Sequence, residues 1–130
     1  MIFRIGDRLP DGTILAGTSP DSGKPMYVTP ADAPSTYTFK QAPKYAEQLN
    51  RQKTNGHGDW RVPTSGELNV LFQNRDVIGG FNETGSRPAG WYWSSSQKKP
   101  GSHARGQRFS DGHQSNNSTF LDSSLRCVRG

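Results

Sequence analysis

The spacing of apolar positions changes period twice along this chain, and each change marks a change of element. Thr13-Ile14-Leu15-Ala16 and Met26-Tyr27-Val28 are short apolar runs separated by the turn cluster Ser19-Pro20-Asp21-Ser22-Gly23. They predict two strands of a meander within the first thirty residues. Ala42, Tyr45, Ala46 and Leu49 then follow at i, i+3, i+4 and i+7, one buried face of a helix within residues 38–51. Thr38 and Gln41 could form a capping box, but a start near Gln41 places Pro43 in the first turn, where proline is tolerated. A glycine-punctuated loop, Asn55 to Pro63, carries Trp60. Thr64-Ser65-Gly66-Glu67 matches the capping-box pattern ahead of Leu68, Leu71 and Phe72, so a second short helix ends near Asn74.

Residues 75–90, punctuated by Gly79-Gly80, Gly85 and Gly90, read as a long loop. In the strand Trp91-Tyr92-Trp93 the two tryptophans share a face. Three serines follow, then a polar loop, Gln107-Arg108-Phe109, and the tight-hairpin pair Asp111-Gly112. Residues 113–119 hold no aliphatic or aromatic side chain. Phe120 and Leu121 are expected to return to the core, and Leu125 to Val128 to form a closing strand. This order predicts one α+β domain over 1–130, two helices packed on a small twisted antiparallel sheet with long loops.

Composition sharpens that picture. Only 30% of the 130 residues are hydrophobic, and mean hydropathy is −0.85. Yet 10% are aromatic, with 15 Gly and 9 Pro, unlike the aromatic-poor composition of disorder. The core therefore depends on a few large side chains: Trp93, Phe109, Leu125 and Cys127 are expected to share it with Leu49 and Leu68. Trp60 and Trp93 read as core, and Trp91 and Tyr92 as the more open pair. A single cysteine, Cys127, rules out an internal disulfide and reads as a small buried hydrophobe. The N-terminal residues lack a secretory h-region, so synthesis is expected in the cytoplasm, with the final location open. No stretch approaches a membrane span, so no membrane partner is expected.

Net charge is +5, unevenly placed: residues 1–90 carry a net +1 and residues 91–130 a net +4. The late excess favours anionic partners. Ser94, Ser95 and Ser96 with His103 or His113 lack a nucleophile-elbow sequence, and three successive hydroxyls point to local hydrogen bonding. His57 and Asp59 sit among turn glycines and form a poor ligand set, so no metal and no cofactor are expected. The remaining group is binding chemistry. Lys98, Lys99, His103, Arg105 and Arg108 are basic, and His113, Gln114, Asn116 and Asn117 add donors and acceptors. With Trp91 and Tyr92 they form the candidate ligand surface, on loops over about residues 97–118.

The block Gly56-His57-Gly58-Asp59-Trp60-Arg61-Val62-Pro63-Thr64-Ser65-Gly66-Glu67-Leu68, with Tyr92-Trp93-Ser94-Ser95-Ser96 and Arg126-Cys127-Val128-Arg129, resembles the bacterial Lcl C-terminal-like domain family. The resemblance runs from about the first helix to the C-terminus. It implies a C-type-lectin-like fold, similar to the formylglycine-generating enzymes and to ligand-binding proteins diversified by retroelements. In the latter, variable residues lie between a tryptophan strand and the terminal strand. The chain lacks the family signatures of calcium-dependent sugar binding and the paired cysteines of formylglycine generation. The expectation is a non-enzymatic ligand-binding module for an acidic protein surface or an anionic glycan, with nucleic acid a further candidate and oligomeric state open. The alternative is an intracellular phage or mobile-element inhibitor of a nucleic-acid-handling complex.

Overall fold

The computed structural model describes residues 2–97 and 101–130. Lys98 and Lys99, both in the candidate surface, lie outside the described residues. Strands β1 (Ile14–Thr18) and β2 (Pro25–Val28) pair antiparallel where the sequence predicts them. Helix α1 (Gln41–Arg51) begins at Gln41 with Pro43 in its first turn, and buries Ala42, Ala46 and Leu49. Helix α2 (Ser65–Gln73) carries the full capping box: the Thr64 hydroxyl accepts from Glu67 N at 3.2 Å, and Glu67 Oε1 accepts from Thr64 N at 3.0 Å. That closes two otherwise orphaned donors and fixes the helix start.

Helix α3 (Arg75–Ile78) occupies the start of the expected long loop. One buried residue, Ile78, is too short a pattern to show helical periodicity. A second sheet follows, made of β3 (Trp91–Trp93), β4 (His103–Arg108) and β5 (Gln114–Ser118), antiparallel in that spatial order. The chain closes on β6 (Val128–Arg129), which adds to β2, so the first sheet runs β1-β2-β6. The class is α+β, as expected, but with three helices and two three-stranded sheets among the described residues.

Three expectations need correction. The polar interval read as loops is largely the β4–β5 hairpin, with Arg105 opposite Asn116 and Gln107 opposite Gln114. Its buried positions are Ala104, Gly106, Gln107 and Asn117, so apolar alternation is absent from a genuine strand pair. Phe120 and Leu121 do not return to the core; they are 82% and 42% exposed. Backbone bonding to Ser118 turns that segment sharply, and Ser123 and Ser124 are the residues that go inside. Finally, the expected single core is divided. Tyr92 and Trp93, adjacent on β3, point to opposite faces. Tyr92 joins Leu68, Leu71, Phe109, Met26 and Val28, whereas Trp93 joins Trp60, Leu125, Cys127, Leu49, Ala42 and Ala46.

The segment Ser123 to Val128 ties these parts together. Trp93 N donates to Ser124 O at 3.1 Å, Ala33 N to Leu125 O at 2.9 Å, Thr29 N to Cys127 O at 3.2 Å, and Arg61 N to Val128 O at 2.8 Å. Only Val128 and Arg129 form a regular strand, because the partners of this backbone change every residue or two. Gly17 shows how tightly α2 sits on the first sheet: at φ +130°, a Cβ there would stand 2.9 Å from Val70 Cγ1.

Candidate functional site

The β4–β5 hairpin positions most of the predicted binding residues. Strand alternation sets His103, Arg105 and Gln107 on one face, with their partners Ser118, Asn116 and Gln114 beside them. The Gln107 end of this face is covered by α2. Gln107 Nε2 donates to Asn69 Oδ1 at 2.9 Å and to Gly112 O at 3.0 Å, and Gln114 Nε2 donates to Ser65 O at 3.1 Å. The other end is open: His103 and Asn116 are exposed and Arg105 is half-buried. Arg105 makes no ion pair among the described residues, so its guanidinium is left open to a partner.

The remaining predicted residues fall elsewhere. Tyr92 is fully buried, contrary to the expectation of an open aromatic: its hydroxyl donates to Asp32 Oδ2 and accepts from Asn82 N at 2.7 Å. Burial, with the neighbouring Asp32 carboxylate, pushes the Tyr92 phenol well above its ordinary range. Trp91 is also buried, beneath the guanidiniums of Arg87 at 4.5 Å and Arg108 at 5.5 Å, with His113 edge-on at 6.3 Å. Arg108 is in turn held by Asp111 at the hairpin turn, with Nε donating to Oδ1 at 2.9 Å. Trp91, Arg108 and His113 therefore gather at the turn end of the hairpin, away from Arg105. Asn117 is buried, and its Nδ2 has no hydrogen-bond partner among the described residues.

A cleft of about 610 Å³ that the sequence reading missed lies between α1 and the segments 60–64 and 94–97. Phe39, Ala42, Ala46, Trp60 and Val62 form its apolar wall, and Ser95, Thr64 and Gln97 its polar side. The signal was present: Ala42 and Ala46 place small side chains on the buried face of α1, and small residues facing a tryptophan leave space. Asn50 frames Trp60, accepting from its N at 2.6 Å and donating to its O at 2.9 Å, while Trp60 Nε1 donates to Thr54 O at 2.9 Å.

Three buried ionisable groups support this scaffold. Burial opposes ionisation of Glu67, but hydrogen bonds from Arg61, Ser19 and Thr64 outweigh it and hold the carboxyl below its ordinary value. Arg126, fully buried, donates through Nη2 to Thr29 O at 2.8 Å and through Nη1 to Gly79 O at 2.5 Å, and lies 4.5 Å from the Phe81 ring centre. Cys127 is buried, and desolvation pushes its thiol up to about 12, so little reactive thiolate forms. Of the serines, Ser94 donates to Arg105 O of β4 at 2.6 Å and Ser96 accepts from Ser65 N at the start of α2 at 2.9 Å, so both hydroxyls are engaged in local hydrogen bonds. Among the described residues, no three His, Cys, Asp or Glu side chains stand close enough to share a metal ion, and no helix is long and apolar enough to cross a membrane.

A family model described as the Lcl C-terminal domain matches residues 19–129, and the chain belongs to that family. The comparison with curated proteins found no match.

Proposed function

We propose that this member of the Lcl C-terminal domain family is a non-catalytic binding module that recognises an anionic surface, an acidic protein face or an acidic glycan. The open half of the β4–β5 hairpin would make the contact. The observation that carries this reading is Arg105, which stands beside Asn116 and His103 on a rigid strand pair with no ion-pair partner among the described residues. A cation held on a strand loses little freedom on binding, and its planar fork suits carboxylate or sulfate. The net +4 of residues 91–130 adds a field that speeds encounter with an anion. The fold belongs to the same proposal. A C-type-lectin-like arrangement is supported by the closing of the chain's late strand β6 onto β2, with the polar hairpin in a separate sheet.

Reversing Lys98, Lys99 and Arg105 together to Glu tests the reading. The triple variant should lose binding to heparin or to an acidic protein while its melting temperature stays within about 2 °C, since a charge such as that of Arg105, with no ion-pair partner among the described residues, adds little to folding. A salt titration separates partners: affinity for nucleic acid should fall steeply with salt, whereas a protein partner should mainly associate more slowly. A triple variant that binds every anionic probe as well as the parent overturns the proposal.

A further inference from the structure

Each three-stranded sheet has two edges, and backbone from loops closes three of the four. Along β1, Gly6 N donates to Leu15 O at 2.8 Å and Leu15 N to Asp7 O at 3.0 Å. Along β6, Arg61 N donates to Val128 O at 2.8 Å and Val128 N to Arg61 O at 2.9 Å. Along β3, Trp93 N donates to Ser124 O at 3.1 Å and Ser124 N to Trp91 O at 2.7 Å. The fourth edge is β5. His113 O accepts from Arg108 N and Thr119 N donates to Ser102 O, so alternation makes Ser115 and Asn117 face β4 as well. Gln114 and Asn116 therefore turn their backbone N–H and C=O outward. Those four groups meet no hydrogen-bond partner among the described residues.

Proteins usually blunt a bare edge with lysine, proline or a bulge, because it is a template for another strand. The residues of β5 carry no charge and no proline, and their five pairings with β4 run in unbroken register. One end of the strand is anchored, since Gln114 Nε2 donates to Ser65 O at 3.1 Å. His103, Arg105 and Gln107 share a face with Ser118, Asn116 and Gln114, and that face holds no acidic side chain. A strand added to β5 lies two strand spacings, roughly 9–10 Å, from β4. A glutamate there, on the same face, meets Arg105 across Asn116. A second copy pairing through its own β5 would bring a second Arg105 to that face, where like charges repel. A glycan would use the cation but lacks the alternating N–H and C=O groups that the edge requires.

We infer that the bare edge of β5 receives an extended acidic segment of a partner protein as an added strand. Gln114 and Asn116 bond its backbone, and its alternate carboxylates face Arg105. The inference rests on the proposed anion-binding role of the hairpin and narrows the partner to an extended peptide chain.

The test follows backbone amide exchange by NMR in the whole chain and its Arg105→Glu variant. The probes are a heptapeptide alternating threonine and glutamate, the same peptide with lysine for glutamate, and a heparin oligosaccharide. Two further versions of the glutamate peptide are N-methylated, each at one alternate set of nitrogens. The glutamate peptide should slow exchange of the Gln114 and Asn116 amides about tenfold or more at saturation, and bind about tenfold more tightly than the lysine peptide. One N-methylated version should lose binding and the other keep it, because only one alternate set of N–H groups faces β5. Heparin should bind without protecting either amide. The inference is overturned by exchange that the glutamate peptide leaves unchanged, by equal effects of the two methylations, or by equal affinity for the lysine peptide. Protection by heparin, or protection that grows with protein concentration without any peptide, overturns it too. If Arg105→Glu loses heparin in such a case, only the added strand fails. If Arg105→Glu binds heparin as well as the parent does, the anion-binding reading fails with it.

Discussion

The two hydrophobic clusters, one on each face of the β3–β4–β5 sheet, are built differently. The Tyr92 side is filled by large side chains: the Tyr92, Phe109 and Phe81 rings stack in sequence with centroids 4.4 and 4.9 Å apart, against Leu68, Leu71, Met26 and Val28. It also encloses the hydrogen-bonded Asp32–Tyr92 pair and the Arg126 guanidinium. The Trp93 side pairs two tryptophans with small residues, Ala42, Ala46, Ala104 and Cys127, and opens into the 610 Å³ cleft. One side gains stability by filling space and the other leaves space beside rigid aromatic walls. Polar interactions are correspondingly deep on the first side and peripheral on the second, where Asn50, Thr54 and His57 surround Trp60.

Replacing Trp93 by Ala should break this comparison most severely. Trp93 is fully buried, meets Phe39 edge-on at 5.5 Å and donates through Nε1 to Tyr37 O at 2.7 Å. The loss should be about 3–5 kcal/mol, read from urea denaturation, because a large side chain leaves a cavity as well as its transfer energy. An unchanged midpoint would mean that the small-residue side contributes little to the fold.

Tyr92→Phe tests the sealed side more finely. It keeps the ring packing and removes the hydroxyl shared by Asp32 and Asn82 N. Burial already raises the Asp32 carboxyl, against the opposing effects of Tyr92 and Arg126, and its Oδ1 has no hydrogen-bond partner among the described residues. Removing the remaining donor should cost about 1–3 kcal/mol, the range for leaving a buried polar group unmatched. A variant as stable as the parent would show that Asp32 finds water once the hydroxyl is gone.

Acid should have the smallest effect of the three, on the open side. Asp11 accepts from Thr13 N and Oγ1 and lies 2.7 Å from His57 Nε2, while Asn55 Nδ2 donates to Asp11 O, which anchors the loop beside Trp60. The His57 contact is the main reason that the Asp11 carboxyl falls from 3.8 to about 2; burial opposes it and the Thr13 bonds assist it. A depressed carboxyl contributes stability that is complete above its unfolded value and is lost as pH falls toward the folded one. The decline should therefore lie between 3.8 and about 2. Tryptophan fluorescence at graded pH should show it in the parent and not in Asp11→Asn; identical acid curves would remove Asp11 from the account.

Local patterns were sufficient wherever one short segment settles its own conformation. Helical spacing in Ala42, Tyr45, Ala46 and Leu49, the reciprocal bonds of Thr64 and Glu67, and the Asp111-Gly112 turn each depend on neighbours within a few residues. Gly112 illustrates the point: its φ is +83°, a conformation glycine adopts without strain. The late polar residues were read as loops because their burial depends on partners far along the chain. Gln107 is inside with its amide accepted by Asn69, and half-buried Gln114 donates to Ser65 O.

What the sequence by itself determined was β1 and β2, the two longer helices, the Trp91–Trp93 strand, the α+β class, the buried cysteine and the basic bias of the last forty residues. Those features follow from residue chemistry and short-range geometry. Tertiary structure alone decided the division of the core, the burial of Trp91 and Tyr92, and the outward turn of Phe120. It also separated the open Arg105 end of the hairpin from the Trp91 end. The physical reason is that a strand residue's face is set by its pairing register, and here the register depends on contacts reaching from residue 37 to residue 123 and from 61 to 128. No local spacing contains that information.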